Sequence, residues 1–211
     1  MSSYTVDYKK LFPKGDEFRV EAKKLNKRIV DIHNEMVNMH KTWDGNQWGE
    51  FATAWNHLYP DLNRICEFLV KQVPNVIEVD AYNYAVTDGV ASAAPQAVAP
   101  EMIPGDLSHG TNTLALSDEN ASKEEQGREN INNYFKDVIT SLDKLENTLN
   151  STKTIWISPA ADKSRSTFAR NKESIKTDIS KVKEQLGKSL TEALERFRKQ
   201  EGDATSNAKA F

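Results

Sequence analysis

Cysteine is almost missing from this chain. Cys66 is the only one, so no intramolecular disulfide can staple the fold, and the residue reads as a small core hydrophobe. Long apolar runs are missing as well. None approaches the eighteen or so residues of a membrane span, and Met1-Ser2-Ser3-Tyr4 does not begin the basic-then-apolar pattern of a cleavable signal peptide. A soluble chain that does not use the general secretory route is expected. Concentrated positive charge is absent too: 28 Lys and Arg stand against 31 Asp and Glu, for a net charge of -3. A phosphate-binding surface needs clustered cations to release counterions, so nucleic acid is not an expected partner.

Signatures of catalysis are equally scarce. The sequence has no phosphate-cradling glycine loop, no Gly-x-Ser-x-Gly elbow and no His-Glu-x-x-His. His33 and His40 are seven residues apart, on one helix face, but no further Cys, His or carboxylate spacing joins them, and they read as solvated histidines. His57 and His109 make no better case. The expectation is a protein that is not an enzyme and holds no metal or cofactor.

What the chain does have is helical periodicity, written twice. Phe18, Ala22, Leu25, Ile29, Ile32, Met36, Met39 and Trp43 are spaced 4,3,4,3,4,3,4, the seam of a helix that packs along its length. Ile131, Phe135, Val138, Leu142, Leu145, Leu149, Thr152 and Trp156 repeat that spacing, and a single constant offset carries Phe18 onto Ile131 and Trp43 onto Trp156. Only Met39/Thr152 breaks the apolar match. Two heptad helices can always be slid into phase, so the test is whether the same offset works further on. It does without a gap: Trp55 falls on Phe168, Leu62 on Ile175, Cys66 on Ile179, Leu69 on Val182, Val73 on Leu186 and Ile77 on Leu190. Pro74 falls on Gly187, which predicts a bend in both second helices.

Between the two series, residues 90–127 change character. Prolines at 95, 100 and 104 and glycines at 105 and 110 interrupt a stretch without aromatics or helical period. Charge by segment is -2 for 1–88, -5 for 89–127 and +4 for 128–211. The middle reads as a flexible acidic linker. The expected organisation is a first helical hairpin over 1–89, the linker over 90–127, a second hairpin over 128–203 and a disordered tail over 204–211.

The turns carry chemistry of their own. Ser158-Pro159 reads as an N-cap followed by proline at the first helical position, and the equivalent of Ser158 is Gly45, also accepted at an N-cap. Trp43-Asp44-Gly45 and Trp156-Ile157-Ser158 are thus two ways of making one reversal. Trp48, Trp55, Tyr59, Tyr82 and Tyr84 crowd the first hairpin, most simply as a bulkier core. The Lys and Glu density over 172–199 reads as the solvated side of an amphipathic helix.

A heptad helix, a Trp-x-Gly turn, a second long helix and a Tyr-x-x-x-Asp tail resemble the WXG family of small antigens exported by bacterial type VII secretion systems. The first hairpin carries the set as Trp43, Gly45, Tyr84 and Asp88, and the second carries a relaxed copy, Trp156, Ser158, Phe197 and Glu201. The separation of turn and tail is the same in both, Trp43 to Tyr84 and Trp156 to Phe197. The resemblance implies an all-α fold in which two hairpins pack antiparallel as an elongated, pseudo-twofold four-helix bundle, a single-chain mimic of a WXG dimer. A helix of about 40 residues is about 60 Å long, and a 38-residue linker reaches roughly 120 Å, enough to connect hairpins so arranged. It further implies that the turn of one hairpin lies beside the tail of the other, Trp43 and Gly45 near Phe197 and Glu201, and Trp156 near Tyr84 and Asp88. Such composite ends are read by a secretion ATPase, so the resemblance implies a cytoplasmic protein that is then secreted without a cleaved signal. Two rivals stand beside it: a membrane-active effector, since amphipathic helices expose apolar faces if the hairpins open, and an intracellular adaptor that presents a bundle face. The sequence leaves a homodimer open.

Overall fold

In a computed structural model the described residues are 4–90, 93–111 and 116–208, with the side chains of 118, 119 and 205–208 left aside. The chain is an all-α helical bundle. Helix α1 runs Tyr8–Met39, α2 Asn46–Cys66, α3 Val73–Thr87, α4 Asp118–Ser151 and α5 Pro159–Ala208. Two-residue strands, β1 at Thr5–Val6 and β2 at Trp156–Ile157, pair antiparallel with Val6 opposite Trp156. Contacts divide the chain into two compact units. Unit one holds residues 1–30, 61–102 and 136–176, and unit two holds 31–60, 103–135 and 177–211.

The repeated seam is the core. Every residue of the two first-helix series is buried, including Thr152, whose hydroxyl donates to Leu149 O at 2.7 Å and accepts from Arg165 at 3.1 Å. The residues paired along the second helices are buried as well, apart from the half-buried Gly187. In unit one Phe18 meets Phe168 edge to face, with ring centroids 6.3 Å apart.

Helix starts follow local capping. Asp7 accepts from the Lys10 amide at 3.2 Å and begins α1, and Ser158 accepts from the Ala161 amide at 3.1 Å and begins α5 with Pro159 in its first position. Gly45 precedes α2 with φ +116°, a conformation that a side chain disfavours. Serine and glycine are therefore two backbone solutions, not two residues on one backbone.

Three boundaries differ from the sequence expectation. First, α4 begins at Asp118, ahead of the expected 128, because Ser117 caps it: its hydroxyl accepts from the Asn120 amide at 3.2 Å. Gly127, which looked like a linker glycine, sits inside α4 where a Cβ would come within 2.8 Å of Met39 Cγ. Second, residues 93–111 are not a free linker. Ile103 and Leu107 are buried, and Asn26 in unit one clasps Glu101 through both backbone groups, at 2.7 and 2.8 Å. An extended backbone leaves its N–H and C=O groups unpaired, and side-chain amides can supply partners. Third, α5 continues through 204–208, where a disordered tail was expected; residues 209–211 lie outside the described residues.

The predicted bends also part company. Before Pro74 the helix opens into a π turn at Glu67–Gln72, with the Val73 amide donating to Phe68 O five residues back. Proline lacks the N–H of the ladder, and its ring crowds the carbonyl four residues earlier, so the wider turn relieves both. Gly187 keeps its N–H, and α5 passes through it without interruption.

The two turns should respond oppositely to exchange of their capping residues. Gly45→Ser forces a side chain into an unfavourable φ and should cost about 1–3 kcal/mol. Ser158→Gly keeps an accepted cap residue and should cost less, nearer to about 1 kcal/mol once its side-chain hydrogen bonds are lost. Urea unfolding of the two variants checks the order.

Candidate recognition surfaces at the turns and tails

In unit one the second turn meets the end of α3. Trp156 is fully buried, with its indole Nε1 donating to Asp80 at 2.8 Å, and the Ser158 hydroxyl donates to the same carboxylate oxygen at 3.1 Å. Arg165 stacks over the Trp156 ring, 5.6 Å from its centroid, and donates to the Trp156 carbonyl at 3.2 Å. The turn is held on both faces.

Asp80 lies one helical turn before Tyr84, so the network sets the tail motif beside the turn. Tyr84 through Thr87 is the last turn of α3, and Asp88 is its C-cap. Gly89, at φ +74°, closes it with paired bonds, Gly89 N to Val86 O at 3.0 Å and Val90 N to Ala85 O at 2.9 Å. Asp88 is exposed at the C-cap, where the carbonyl end of the helix dipole disfavours a carboxylate by a few tenths of a kcal/mol or more. Stability does not explain an acid there. Around it, Tyr84 is 38% exposed and Val86, Val90, Tyr4 and Ile157 more so, on α3, β1, β2 and their flanks. β1 packs on α3 as well as on β2.

Unit two holds the first turn. Trp43 is fully buried, edge to face with Trp48 at 5.4 Å and stacked with Phe51 at 6.3 Å, while His40 stacks on Trp48 at 4.5 Å. Gln47, with its amide oxygen turned toward Arg196, accepts at 2.8 Å from the guanidinium. That bond sets the residue before Phe197 beside the residue two after Gly45. Phe197 is half-buried and Glu201 exposed, and α5 runs on past both. The second tail therefore has no helix end of its own.

The Trp43 indole nitrogen is buried without a partner among the described residues. Its counterpart Trp156 has Asp80, and the offset that carries Trp43 onto Trp156 carries Asp80 onto Ala193, which is buried. The tryptophan stands in both halves, and the acceptor in only one.

Other residues stand away from their sequence reading. His33 is buried and accepts from Trp55 Nε1 at 3.2 Å, and burial lowers its pKa, so it is a core histidine and not a solvated one. Lys172 is buried between Asp143 and Glu146, at 2.6 and 2.5 Å, and does not belong to a wet face. Trp48 and Trp55 are core, Tyr59 half-buried. Burial pushes the Cys66 thiol up to about 12, which makes it inert near neutral pH. Among the described residues no three His, Cys, Asp or Glu side chains gather as metal ligands, and no helix is long and apolar enough to cross a membrane.

Glu124 was missed altogether. It is 1% exposed in unit two, where one carboxylate oxygen is bonded by the Thr42 hydroxyl and the other has no partner among the described residues. The signal was present, since the repeat offset pairs it with the buried Leu11: an acid occupies a seam position. Burial, opposed by the Thr42 hydroxyl and assisted by nearby Glu35, pushes its pKa up to about 7.

No family model, curated protein or solved structure matches the chain.

Because the folded state holds the Glu124 proton more tightly than the unfolded chain, its contribution is full below the ordinary carboxyl value and is lost as pH rises through about 7. By pH 8 the loss amounts to about 3 kcal/mol. Glu124→Gln should match the parent in urea unfolding near pH 4.5 and exceed it by that margin at pH 8. A difference independent of pH would refute the protonated acid. In unit one, Asp80→Ala strands the Trp156 and Ser158 donors and should cost about 2–4 kcal/mol. In that background Trp156→Phe should cost much less than it does alone, a coupling that a double-mutant cycle reads.

Proposed function

We propose that this chain is a non-enzymatic substrate or export partner of a bacterial type VII secretion system, built as two WXG-like hairpins in one polypeptide. The observation that carries the reading is the Asp80 network, which ties the Trp156 turn to the helix end bearing Tyr84 and Asp88. In the resembled family, a turn of one hairpin beside a tail of another is the composite element that a secretion ATPase reads. Around the network lies exposed apolar surface, Tyr84 and Val86 among it, with a carboxylate at a helix C-cap that stability does not favour.

The two hairpins are unequal in this respect. The Tyr84 tail closes with a glycine cap and ends its helix, whereas Phe197 and Glu201 lie within a helix that continues to Ala208. Export recognition is accordingly assigned to the end holding Trp156, Tyr84 and Asp88. Trp43 and Phe197 then serve packing more than recognition. The protein is cytoplasmic until exported, and its partner is the secretion ATPase or another component of that machinery.

Secretion from the native host tests this. Tyr84→Ala and Asp88→Ala should cut export at least tenfold while the chain keeps its helical circular dichroism, and Phe197→Ala should export nearly as the parent. Normal export of folded Tyr84→Ala and Asp88→Ala proteins would remove the signal reading. Failure of the parent itself to appear in the medium would remove the export reading as a whole.

A further inference from the structure

Within unit two, very little holds the first turns of α4 in place. Among the described residues of 118–130 only Glu124 and Gly127 are buried, and the first buried apolar side chain of α4 is Ile131. At Gly127 a Cβ would come within 2.8 Å of Met39 Cγ and 3.0 Å of its sulfur, so α4 rests on Met39 there without a side chain of its own. Next to it, Asn130 donates to Glu35 at 3.0 Å. The one described side chain that this stretch buries is therefore a carboxylic acid, and it meets the Thr42 hydroxyl just past the end of α1.

The surroundings of Glu124 suit its neutral form. The Thr42 hydroxyl has one proton and two acceptors in reach, the Met39 carbonyl at 3.3 Å and the Glu124 carboxylate. A protonated Glu124 resolves that conflict by donating to Thr42, which then donates to Met39. The charged groups nearby do not help an anion. Glu35, facing it from α1, is a like charge. His40 stacks on Trp48 and faces Asp44 at 3.6 Å, and Lys41 donates to Asn38 at 2.8 Å. On α4 itself Arg128 pairs with Glu125 at 2.5 Å, and these line an open outer groove with Glu129 and, from α5, Arg198. Arg196 of α5 turns to Gln47 of α2. Glu124 also lies beyond the first turn of its helix, past the reach of the dipole that favours a carboxylate there.

We propose that residues 118–127 form a pH-gated latch: with Glu124 protonated the first turns of α4 lie closed over Met39, and with Glu124 ionised they fray back toward Ile131 while the rest of α4 stays folded. An ionised Glu124 has to reach water, because a buried carboxylate without a cation is strongly disfavoured. Fraying is the least costly way out, since the segment gives up no buried apolar side chain of its own. The consequence is local: Met39 and Thr42, buried or half-buried when the latch is closed, become accessible beside Trp43.

The direction follows from linkage. The closed form holds the Glu124 proton more tightly than the open one, so the latch is shut at low pH and opens as pH rises through about 7. Between pH 5 and pH 8 the opening constant should grow by about seventyfold.

Hydrogen exchange of the full chain, read amide by amide and corrected for the intrinsic rate at each pH, tests this. Amides 122–127 should lose at least tenfold in protection from pH 5 to pH 8, while amides 135–150 of the same helix keep theirs. Glu124→Gln should leave 122–127 protected at both pH values. Equal protection of 122–127 at the two pH values in the parent would overturn the latch. So would a loss shared equally by 135–150, which would make the effect global, and so would a loss that persists in Glu124→Gln, which would place the titration on another group such as Glu35. If Glu124→Gln loses its helical circular dichroism, Glu124→Leu is read by the same criteria.

Discussion

Each long helix carries one narrow apolar stripe on an otherwise charged rod, and such a stripe leaves water only against another stripe. The rest of the structure depends on that constraint. With 38% of residues apolar and 28% charged, there is little hydrophobic surface to spare, so the seam positions are nearly all committed to the core. Where a seam position is polar, the fold must satisfy it locally. Thr152 shows the satisfied case, its hydroxyl both donating and accepting. Glu124 shows the other: one oxygen is bonded, the other has no partner among the described residues, and the carboxyl is driven toward its neutral form.

The two turn tryptophans meet the same constraint with different results. An indole buried at the end of a seam brings one N–H that needs an acceptor. Asp80 gives Trp156 that acceptor and binds Ser158 too, so one carboxylate fixes both the ring and the helix cap. Trp43 has three aromatic neighbours, directly or through Trp48, and its N–H finds no acceptor among the described residues. Packing surrounds the first tryptophan, and polar bonding fixes the second. The reversal of roles is informative, because the hairpin that keeps the fuller Trp-x-Gly motif is not the one with the better-bonded tryptophan.

The seam, the turns and the tandem offset were legible because each rests on periodicity or on a cap, and both are written in consecutive residues. The π turn was half legible: Pro74 announced a disturbance, but whether a helix breaks, bends or widens depends on what surrounds it. Gly127 misled, since a glycine in a close helix approach looks like one in a loop until the neighbour, Met39, is known. His33 and Lys172 misled for a related reason. Their partners, Trp55 and the Asp143 and Glu146 pair, sit on other helices, beyond the reach of any local pattern. Glu124 is written in the offset itself, which sets it opposite Leu11 two turns before Phe18.

The segment 93–111, a strap, was the least legible element, and the cause lies in how it is held. Asn26 and Asn56 bind main chain, as do Trp48 and one of the two Asp44 contacts, so the strap's own side chains record little of the interaction. Only Ile103 and Leu107 leave a trace, two aliphatics in a polar, proline-broken stretch. A connector needs only length and solubility, and the stretch between the hairpins supplies both without any docking. Gly49 goes beyond that requirement. A helix whose sole task is to bury its seam is better served by alanine there, and the close approach of the His109 carbonyl is what makes glycine fit. A side chain at that position would push the strap off the helix, so the glycine fits a strap that is docked and not merely a tether.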